Sequence, residues 1–312
     1  MMNLLIDFSR LFADHCLHTI DLPYRFSSWA LDDDANIALW YDEGERLQAW
    51  AVLQTPFWAI DIACRSQAEK DMFPQILDWA VHRAGAIKDT RFGHPVWFVN
   101  VFSDQAERIR CLEQAGFTCQ SDMGEDSWSK VWMQLISVSL RGACSATKQS
   151  DPVSRRFLRP TRVDKIPPGF NLRPLAGESE VAAYVDLQRL VFGTENMTVD
   201  WRSRTLRQPQ YLPDLDLVIE APDGRLAAFC IAWLDLQRTP PAGQIEPLGV
   251  HPDYQRLGLG SAILSEALCR LQQHGAQDIF VETDKQRNPA LTLYQSVGFR
   301  VIKDVLVYRI EV

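Results

Sequence analysis

GVHPDYQRLGLGSAIL, residues 249–264, reads as the end of a strand, a turn with two glycines and the start of a helix. The first turn of a helix leaves backbone N–H groups without intrahelical partners, and the helix dipole makes this end positive. An anion, most often a phosphate, suits such a position. Gly258 and Gly260 favour a close approach of the backbone to that anion, because neither carries a Cβ atom.

Two common nucleotide-binding motifs do not fit this turn. A P-loop requires G-x-x-x-x-G-K-[ST], which occurs nowhere in the chain. A dinucleotide-binding fingerprint requires G-x-G-x-x-G, but Ile263 stands at its third glycine, and the acidic ribose partner and the βαβ context are missing. The remaining candidate is QRLGLG, residues 255–260.

Length and charge limit the kind of protein. The 312 residues, 46% of them apolar, are enough for two domains with a sizeable core. The net charge is −8, and residues 1–150 contain 13 Lys and Arg against 20 Asp and Glu. No basic stripe is visible, which argues against a nucleic-acid partner. The acidic first part would attract a cationic small molecule, but the pattern favours the simpler interpretation of a solvated acidic face.

The cysteines and the chain start indicate the compartment. Seven cysteines are scattered without a C-x-x-C pair, which argues against a disulfide framework and against a metal site. The first residues carry charges too early for a signal peptide, and no apolar run approaches 18 residues. We therefore expect a reduced, soluble, cytoplasmic protein with no membrane partner.

The pattern changes at residues 137–168, where several prolines and serines predict a linker between a first domain, residues 1–136, and a second domain, residues 169–312. Apolar spacings in the second domain predict a mixed sheet with helices packed on it. The predicted elements are strand 170–175, helices 178–192 and 199–206, a hairpin around the turn at 223–224, strand 244–250, helix 261–274, strand 278–284, helix 289–296 and a closing pair of strands within 300–312.

The first domain repeats this order imperfectly, which indicates an internal duplication. It is predicted to contain three strands within 36–63, a helix at 68–84, a strand at 95–102 and a helix at 103–117. The two-glycine turn is missing from this copy, and Glu69 and Asp71 stand where a phosphate would need N–H donors. The sequence therefore predicts that only the second domain binds a phosphate in this way.

The QRLGLG turn resembles the pyrophosphate loop of the GNAT acyltransferase superfamily, [Q/R]-x-x-G-x-[G/A], which lies between a strand and a helix. NPALTLYQSVGF, residues 288–299, is similar to that family's later motif, N-x-x-A-x-x-x-Y-x-x-x-G-F. Ala290, Tyr294 and Gly298 follow one another at the motif's four-residue intervals, and Asn288 stands two residues before Ala290. The resemblance implies an α/β (α+β) protein of two GNAT-like domains, each a mixed, mostly antiparallel sheet flanked by helices. The tandem layout is similar to that of the mycothiol synthase type.

The resemblance also implies acetyl-CoA, or another acyl-CoA, as co-substrate. Its pantetheine arm would run along strand residues 246–250, where a bulge at Gly249 is expected to open a gap in the sheet. Candidates for the 3′-phosphate are Arg256, Lys285 and Arg287. The implied cofactor-binding residues are Leu248, Gly249, Val250, Gln255, Arg256, Leu257, Gly258, Leu259, Gly260, Ser261, Asn288 and Tyr294.

Two residues are the candidates for catalysis. Glu246 would be the general base, directly or through water, unless it is only a solvated or substrate-orienting residue. Tyr294 would protonate the CoA thiolate, unless it is only a core tyrosine. Asn288 would bind the pantetheine or cap its helix. The reserve groups are the carboxylates of Asp235 and Glu282 and, as a weaker base, His251.

Together these features predict an acyl-CoA-dependent N-acyltransferase in which a primary amine attacks directly. The alternative is a non-catalytic acyl-CoA-binding or regulatory protein of the same fold. The acceptor stays open among a small amine, an aminoglycoside, an amino acid, a thiol precursor and a protein N-terminus. The first domain would be either a scaffold or one wall of the acceptor pocket.

Overall fold

The structure is a computed structural model that describes residues 1–13, 15–121, 129–136, 166–286 and 288–312. Most of the linker predicted at 137–168 therefore lies outside the described residues. The elements of the first domain are α1 (Met2–Arg10), α2 (Leu22–Phe26), β1 (Ile37–Tyr41), β2 (Leu47–Gln54), β3 (Ala59–Cys64), α3 (Glu69–Ile87), β4 (Val96–Phe102), α4 (Ala106–Gln114), β5 (Thr118–Cys119) and β6 (Lys130–Leu135).

The second domain follows the predicted order closely. Its elements are β7 (Asn171–Pro174), α5 (Val181–Phe192), α6 (Val199–Leu206), β8 (Asp216–Glu220), β9 (Leu226–Asp235), β10 (Ala242–Val250), α7 (Leu259–Gln273), β11 (Asp278–Asp284), α8 (Asn288–Ser296) and β12 (Phe299–Glu311). All neighbours in the sheet are antiparallel except β3–β4 and β10–β11, which agrees with the predicted mixed, mostly antiparallel architecture.

The apolar face predicted for helix 261–274 is the face that α7 buries. Ile263, Leu264 and Leu271 are fully buried and pack in one cluster with side chains of β8, β9 and β10. Together with the buried Ala267 and Leu268 they recur at spacings of three and four residues, which places them on one side of the helix. This packing fixes the start of α7 next to the end of β10, where the two-glycine turn joins them.

The predicted closing pair of strands is wrong, because residues 299–311 form the single strand β12. The charged residues in its middle do not interrupt it, since they form ion pairs at the surface. Lys303 contacts Asp104 at 3.0 Å, and Asp304 contacts Lys285 at 3.2 Å. The register of β12 against β6 shifts between Val301 and Lys303.

The two domains share one sheet among the described residues. Its strand order is β1-β2-β3-β4-β12-β6-β11-β10-β9-β8-β7, with β5 paired to β12. Strand β6 of the first domain thus lies between β11 and β12 of the second, and β12 lies between β4 and β6. Val131 and Met133 of β6 are buried in the core of the second domain. The domain boundary within residues 136–169 stays a prediction. Strands from its two sides are hydrogen-bonded to each other in the pairs β6–β11, β6–β12 and β4–β12.

Each domain contributes a strand to the other's part of the sheet, an arrangement that we call strand exchange. Because of it, we expect that the second domain does not fold alone. A fragment of residues 166–312 would lack β6, so β11 and β12 would each expose an unpaired edge and the core would lose Val131 and Met133. We expect the fragment to aggregate or to melt without a cooperative transition. Co-expression with residues 1–136 should restore a cooperative melt measured by circular dichroism. A monomeric fragment with its own sharp transition would contradict the prediction.

Candidate acyltransferase site

A wedge opens in the sheet between the parallel strands β10 and β11. Their ladder has three pairs and ends where Gln244 faces Phe280. Beyond this pair β10 continues with β9 up to Val250, and β11 continues with β6 up to Asp284. Within the described residues, the facing backbone groups of the two strands are not paired with each other beyond Gln244 and Phe280, and an extended ligand placed there would pair with them.

The irregularity that accompanies the wedge lies at Glu246–Pro247 and not at Gly249. The register of β10 against β9 shifts between Ile245 and Leu248, because a proline cannot donate to the ladder. Gly249 itself pairs with Phe229 in regular register. Its lack of a side chain serves packing, since a Cβ atom would stand 2.5 Å from the Phe229 ring. The bulge expected at Gly249 is thus corrected to the two residues before Leu248.

The two-glycine turn leads into the start of α7 with its donors open. Gly258 precedes the helix at φ 81°, a left-handed conformation that favours glycine, and a Cβ atom there would meet nothing within 4 Å. The helix has no side-chain cap and no acidic residue in its first turn. The N–H groups of the first turn therefore lie at the positive end of a 15-residue helix.

The other predicted loop residues surround this turn. Gln255, Arg256 and Leu257 are exposed, and Leu259 is buried as the first residue of α7. Leu248 and Val250 are partly buried along β10. A Cβ atom on Gly260 would lie 3.4 Å from Val250 and from Leu293, so the turn, the end of β10 and α8 meet at this glycine.

Tyr294 lies on α8 with 6% of its surface exposed. Its ring packs edge to face on Phe299 with centroids 5.7 Å apart. Burial raises the pKa of the phenol, and the charges of Cys230 and Glu246 act in the same direction. The phenol therefore keeps its proton over the whole physiological range.

The remaining predicted cofactor contacts differ in how much the structure says about them. Arg287 and the side chain of Asn288 lie outside the described residues. Lys285 is paired with Asp304 at the surface. Arg256 is exposed at φ 63°. Binding of the 3′-phosphate by Arg256, Lys285 or Arg287 stays a prediction.

Glu246 is partly buried where β10 turns irregular. Trp233 donates from Nε1 to the backbone carbonyl of Glu246 at 2.9 Å. Burial is the main cause that raises the pKa of this carboxyl to about 7, and the carboxylate of Asp21 adds to it. The positive charges of His18 and Arg25 act in the opposite direction. A carboxylate poised near neutrality suits a general base.

Glu282 stands opposite Glu246 across the wedge, since each lies two residues beyond the last pair of the ladder. Burial would raise the pKa of Glu282, but the ammonium of Lys130, at 2.7 Å, and the imidazole of His18 outweigh it and lower this pKa to about 2. The two carboxyls in matching positions therefore differ in charge state: Glu282 is an anion at neutral pH, whereas Glu246 titrates near neutrality.

The charged groups that face these carboxyls come from the first domain. His18 lies between two carboxylates, with Nδ1 3.2 Å from Asp21 and Nε2 3.6 Å from Glu282. Burial and Arg25 act to lower the pKa of His18, but the two carboxylates outweigh them and raise it. Arg25 donates two hydrogen bonds to Asp61, at 2.7 and 2.8 Å.

Sequence analysis missed these first-domain residues. Residues 16–25, CLHTIDLPYR, contain no motif and no periodic pattern, and the strand that carries Lys130 was not predicted. The sequence carried an indirect signal: AID at residues 59–61 and QIE at residues 244–246 each place an acidic residue, Asp61 or Glu246, directly after an isoleucine in a predicted strand. An alignment of the two repeats on their strand ends would have matched Asp61 with Glu246.

The two other reserve groups have structural roles. Asp235 accepts from Nε of Arg10 at 2.7 Å and from the backbone N–H of Gln237 at 3.0 Å. His251 accepts from the backbone N–H of Asp253 through Nδ1 at 3.1 Å. Neither is brought to the wedge by a contact that the structure shows.

In the first domain, side chains lie at the helix start that corresponds to the glycine turn of the second domain. Its helix α3 begins with Glu69 and carries Asp71 in the first turn. Arg108 of α4 pairs with Glu69 and donates to the backbone carbonyl of His15 at 3.1 Å. A guanidinium and two carboxylates therefore occupy the place where the second domain has open N–H donors.

The match with known proteins agrees with this geometry. Residues 184–299 match the Acetyltransferase (GNAT) family. Two solved structures cover nearly the whole chain: a GCN5-related N-acetyltransferase from Sphaerobacter thermophilus (TM-score 0.61, 15% identity, 91% of this chain and 83% of that one) and a tandem GNAT protein from the clavulanic acid biosynthesis pathway (TM-score 0.63, 11% identity, 99% and 94%). The second domain is thus a GNAT domain, and the whole chain has the tandem GNAT fold, which confirms the resemblance inferred from the two motifs.

Curated relatives are similar to part of the chain. A mycothiol acetyltransferase of Kineococcus radiotolerans is 35% identical over 143 residues, 44% of this chain and 45% of the relative. A [ribosomal protein bS18]-alanine N-acetyltransferase of Escherichia coli K12 is 34% identical over 77 residues, 25% of this chain and 49% of the relative. The chain spans about half the length, or less, of the curated relatives it matches. Within the described ranges, no helix has the length and apolar character needed to span a membrane.

Proposed function

We propose that this protein is an N-acyltransferase that uses acetyl-CoA as acyl donor and a primary amine as acceptor. The observation that carries the proposal is the wedge, with Glu246 at its narrow end and open helix N–H groups at its wide end. The relatives named above are acetyltransferases, which agrees with acetyl as the transferred group.

The described residues fit acetyl-CoA at this place. The Gly258–Gly260 turn offers N–H donors and no side chain to a pyrophosphate. The edge of β10 beyond Gln244 offers backbone groups to the pantetheine amides, and an N–H there would stabilise negative charge on the thioester oxygen. When bound, acetyl-CoA supplies an activated acyl group whose thiolate is a fair leaving group.

The proton balance of the reaction assigns roles to two side chains. An acceptor arrives as an ammonium and must lose one proton before its nitrogen can attack the thioester carbon, and Glu246 takes this proton. The C–N bond forms, the C–S bond breaks, and the nitrogen loses its second proton. Tyr294 donates a proton to the departing sulfur and recovers one from the nitrogen, so one proton per turnover leaves with Glu246.

The non-catalytic alternative is an acyl-CoA-binding protein of the same fold. The raised pKa of Glu246, to about 7, favours the enzyme, because a binding protein has no use for a titrating carboxyl beside the acyl position. Release of free CoA thiol from acetyl-CoA, measured with a panel of primary amines, distinguishes the two. Binding by calorimetry without turnover on any amine would support the binding protein.

Glu246→Gln tests the base. In the wild type kcat/KM should fall about tenfold per pH unit below pH 7, because protonation removes the base. In the Gln variant the break near pH 7 should be absent, and the rate should keep rising with pH towards the amine pKa of about 10, because the amine must then deprotonate by itself. Asp235→Asn is the control, since its carboxylate is paired with Arg10 and the shape of the pH profile should not change. An identical profile in Glu246→Gln would remove the residue from the base role.

Stability gives a second readout that does not need turnover. Between about pH 4.3 and 7 the folded protein binds more protons at Glu246 than the unfolded chain, so the contribution of this group to the free energy of unfolding decreases as pH rises through that window. Gln cannot titrate. The Tm of Glu246→Gln relative to wild type should therefore be higher at pH 8 than at pH 5.

A further inference from the structure

A cavity of about 140 Å³ lies beside Glu282, on the side of the first domain. This volume holds more than a single water molecule. Its polar lining consists of His18, Arg25, Asn100 and Lys130. The rest of the wall is apolar, with the rings of two phenylalanines and the side chains of Ala59 and Val307.

Three of the four polar lining residues, His18, Arg25 and Lys130, are donors that pair with carboxylates. Arg25 uses Nε and Nη2 on Asp61, which leaves Nη1 outside that pair. Lys130 contacts Glu282 with one of its three ammonium protons. The Nε2 atom of His18 is buried and has no hydrogen-bond partner within the described part of the chain. The carboxylates that pair with Arg25 and Lys130 belong to Asp61 and Glu282, and neither residue is among the described residues that line the cavity.

Two of these donors are held rigidly. Arg25 is 6% exposed and His18 is 8% exposed, so their orientations are fixed by packing. The guanidinium of Arg25 lies 4.4 Å above the ring of Phe57, which also lines the cavity. Asn100 pairs in register with Val307 of β12. Charged, buried and preoriented donors are typical of a site for an anion, because a charge-assisted hydrogen bond is stronger than a neutral one.

We propose that the acceptor carries, besides its amine, an anionic oxygen group of carboxylate size, and that this cavity binds it. The inference rests on the proposed transferase function, because it takes the amine to lie at Glu246. His18 and Lys130 both contact Glu282, which stands across the wedge from Glu246, so one short molecule would reach the base and the cavity. The acidic composition of residues 1–150 would favour a cationic acceptor. Screened charges act mainly within about one Debye length, so the donors that line the cavity outweigh the more distant acidic residues and favour an anionic group.

Matched acceptors test the proposal directly. The three compounds 4-aminobutanoate, 4-amino-1-butanol and 1,4-diaminobutane share a four-carbon chain and differ in the charge of the far end. With acetyl-CoA at saturation, kcat/KM for acetyl transfer should be at least about tenfold higher for 4-aminobutanoate than for 1,4-diaminobutane, with the alcohol between them. A fourth acceptor, 3-aminopropyl phosphate, separates a preference for carboxylate from one for phosphate. Equal rates, or a faster diamine, would overturn the proposal.

An isosteric variant places the effect in the cavity. Asn100→Asp keeps the shape of the side chain and adds one negative charge to the lining. It should lower kcat/KM for 4-aminobutanoate about tenfold, mainly through KM, and leave the diamine unchanged or improved. Asn171→Asp makes the same charge change on the exposed edge strand β7 and should leave both substrates unaffected. A loss that is equal for both acceptors would refute the assignment.

A binding measurement keeps this inference separate from the transferase proposal. Sodium butanoate and butylammonium chloride, at equal ionic strength, are compared by their effect on Tm. Butanoate should raise the Tm of the wild type, and Asn100→Asp should remove this rise. If no acceptor is acetylated, the transferase proposal fails and this measurement alone decides the inference. Equal stabilisation by butylammonium, or a butanoate effect that survives in Asn100→Asp, would contradict it.

Discussion

Gly260→Asp should abolish measurable acetyl-CoA binding while the protein stays folded. The first N–H groups of α7 would then face a carboxylate of the chain itself, and a pyrophosphate at that place would meet like charge. A Cβ atom at this position lies 3.4 Å from its nearest neighbours, so the side chain fits. An acidic residue in the first turn also stabilises a helix by about 0.3–1 kcal/mol, so Tm should not fall.

Gly260→Ala is the matched control, because it adds the Cβ atom without the charge. We expect Ala to weaken binding only a few fold.

Titration calorimetry of the wild type should give one acetyl-CoA per chain, since the start of α3 in the first domain is occupied by the Glu69–Arg108 pair. Gly258→Asp should also lose binding, at an additional stability cost of roughly 1 kcal/mol for a non-glycine residue at φ 81°. Full stabilisation by CoA in Gly260→Asp, or a stoichiometry of two, would show that the site lies elsewhere.

The parts of the fold that the sequence predicted are those encoded by neighbouring residues. The turn at residues 255–260 has its glycines, its preceding strand and its amphipathic helix within one short segment, so each signal supports the others. Tyr294 and the Gly298–Phe299 pair were likewise placed by spacing on a short helix and a turn. Local signals of this kind do not depend on which strand becomes the neighbour.

The insertion of β6 between β11 and β12 could not be predicted from local sequence patterns. Residues 130–135 lie next to β11 and β12, which follow them by more than 140 residues, and no sequence period reports such a pairing. The consequence reaches the site, because Lys130 opens β6 and contacts Glu282. Local patterns place the candidate catalytic and cofactor-binding residues in the second domain and leave the first domain as a scaffold or one wall of the acceptor pocket. The structure brings charged residues of the first domain to Glu282.

The position of the bulge was mistaken for a related reason. Gly249 carries the familiar signal for a break in a strand, but its neighbours Phe229 and Val191 leave no space for a side chain and thereby explain the glycine. The register shift lies at Pro247, whose missing N–H breaks the ladder. Packing against distant residues and backbone pairing can require the same residue type, and the sequence does not separate the two causes.

Tyr294→Phe should lower kcat about 100-fold while the affinity for acetyl-CoA stays within a few fold. The variant removes only the hydroxyl, so the edge-to-face contact with Phe299 and the packing in the core of the second domain remain. No hydrogen bond of the hydroxyl to another described residue would be lost, so Tm should be unchanged or slightly higher. The expected loss is the usual contribution of one positioned proton donor.

The leaving group provides the decisive measurement. If Tyr294 protonates the departing sulfur, an acyl donor with a more acidic thiol needs this help less, and the ratio of wild-type to Tyr294→Phe rates should shrink. Acetyl thioesters of thiols with graded pKa values therefore separate a proton donor from a residue that only positions the cofactor, for which the ratio would stay constant. Tyr294→Ala is the contrasting variant: it also removes the ring, so it should cost about 3–5 kcal/mol of stability as well as activity. A kcat of Tyr294→Phe within twofold of wild type would leave Glu246 as the one side chain with a role in proton transfer.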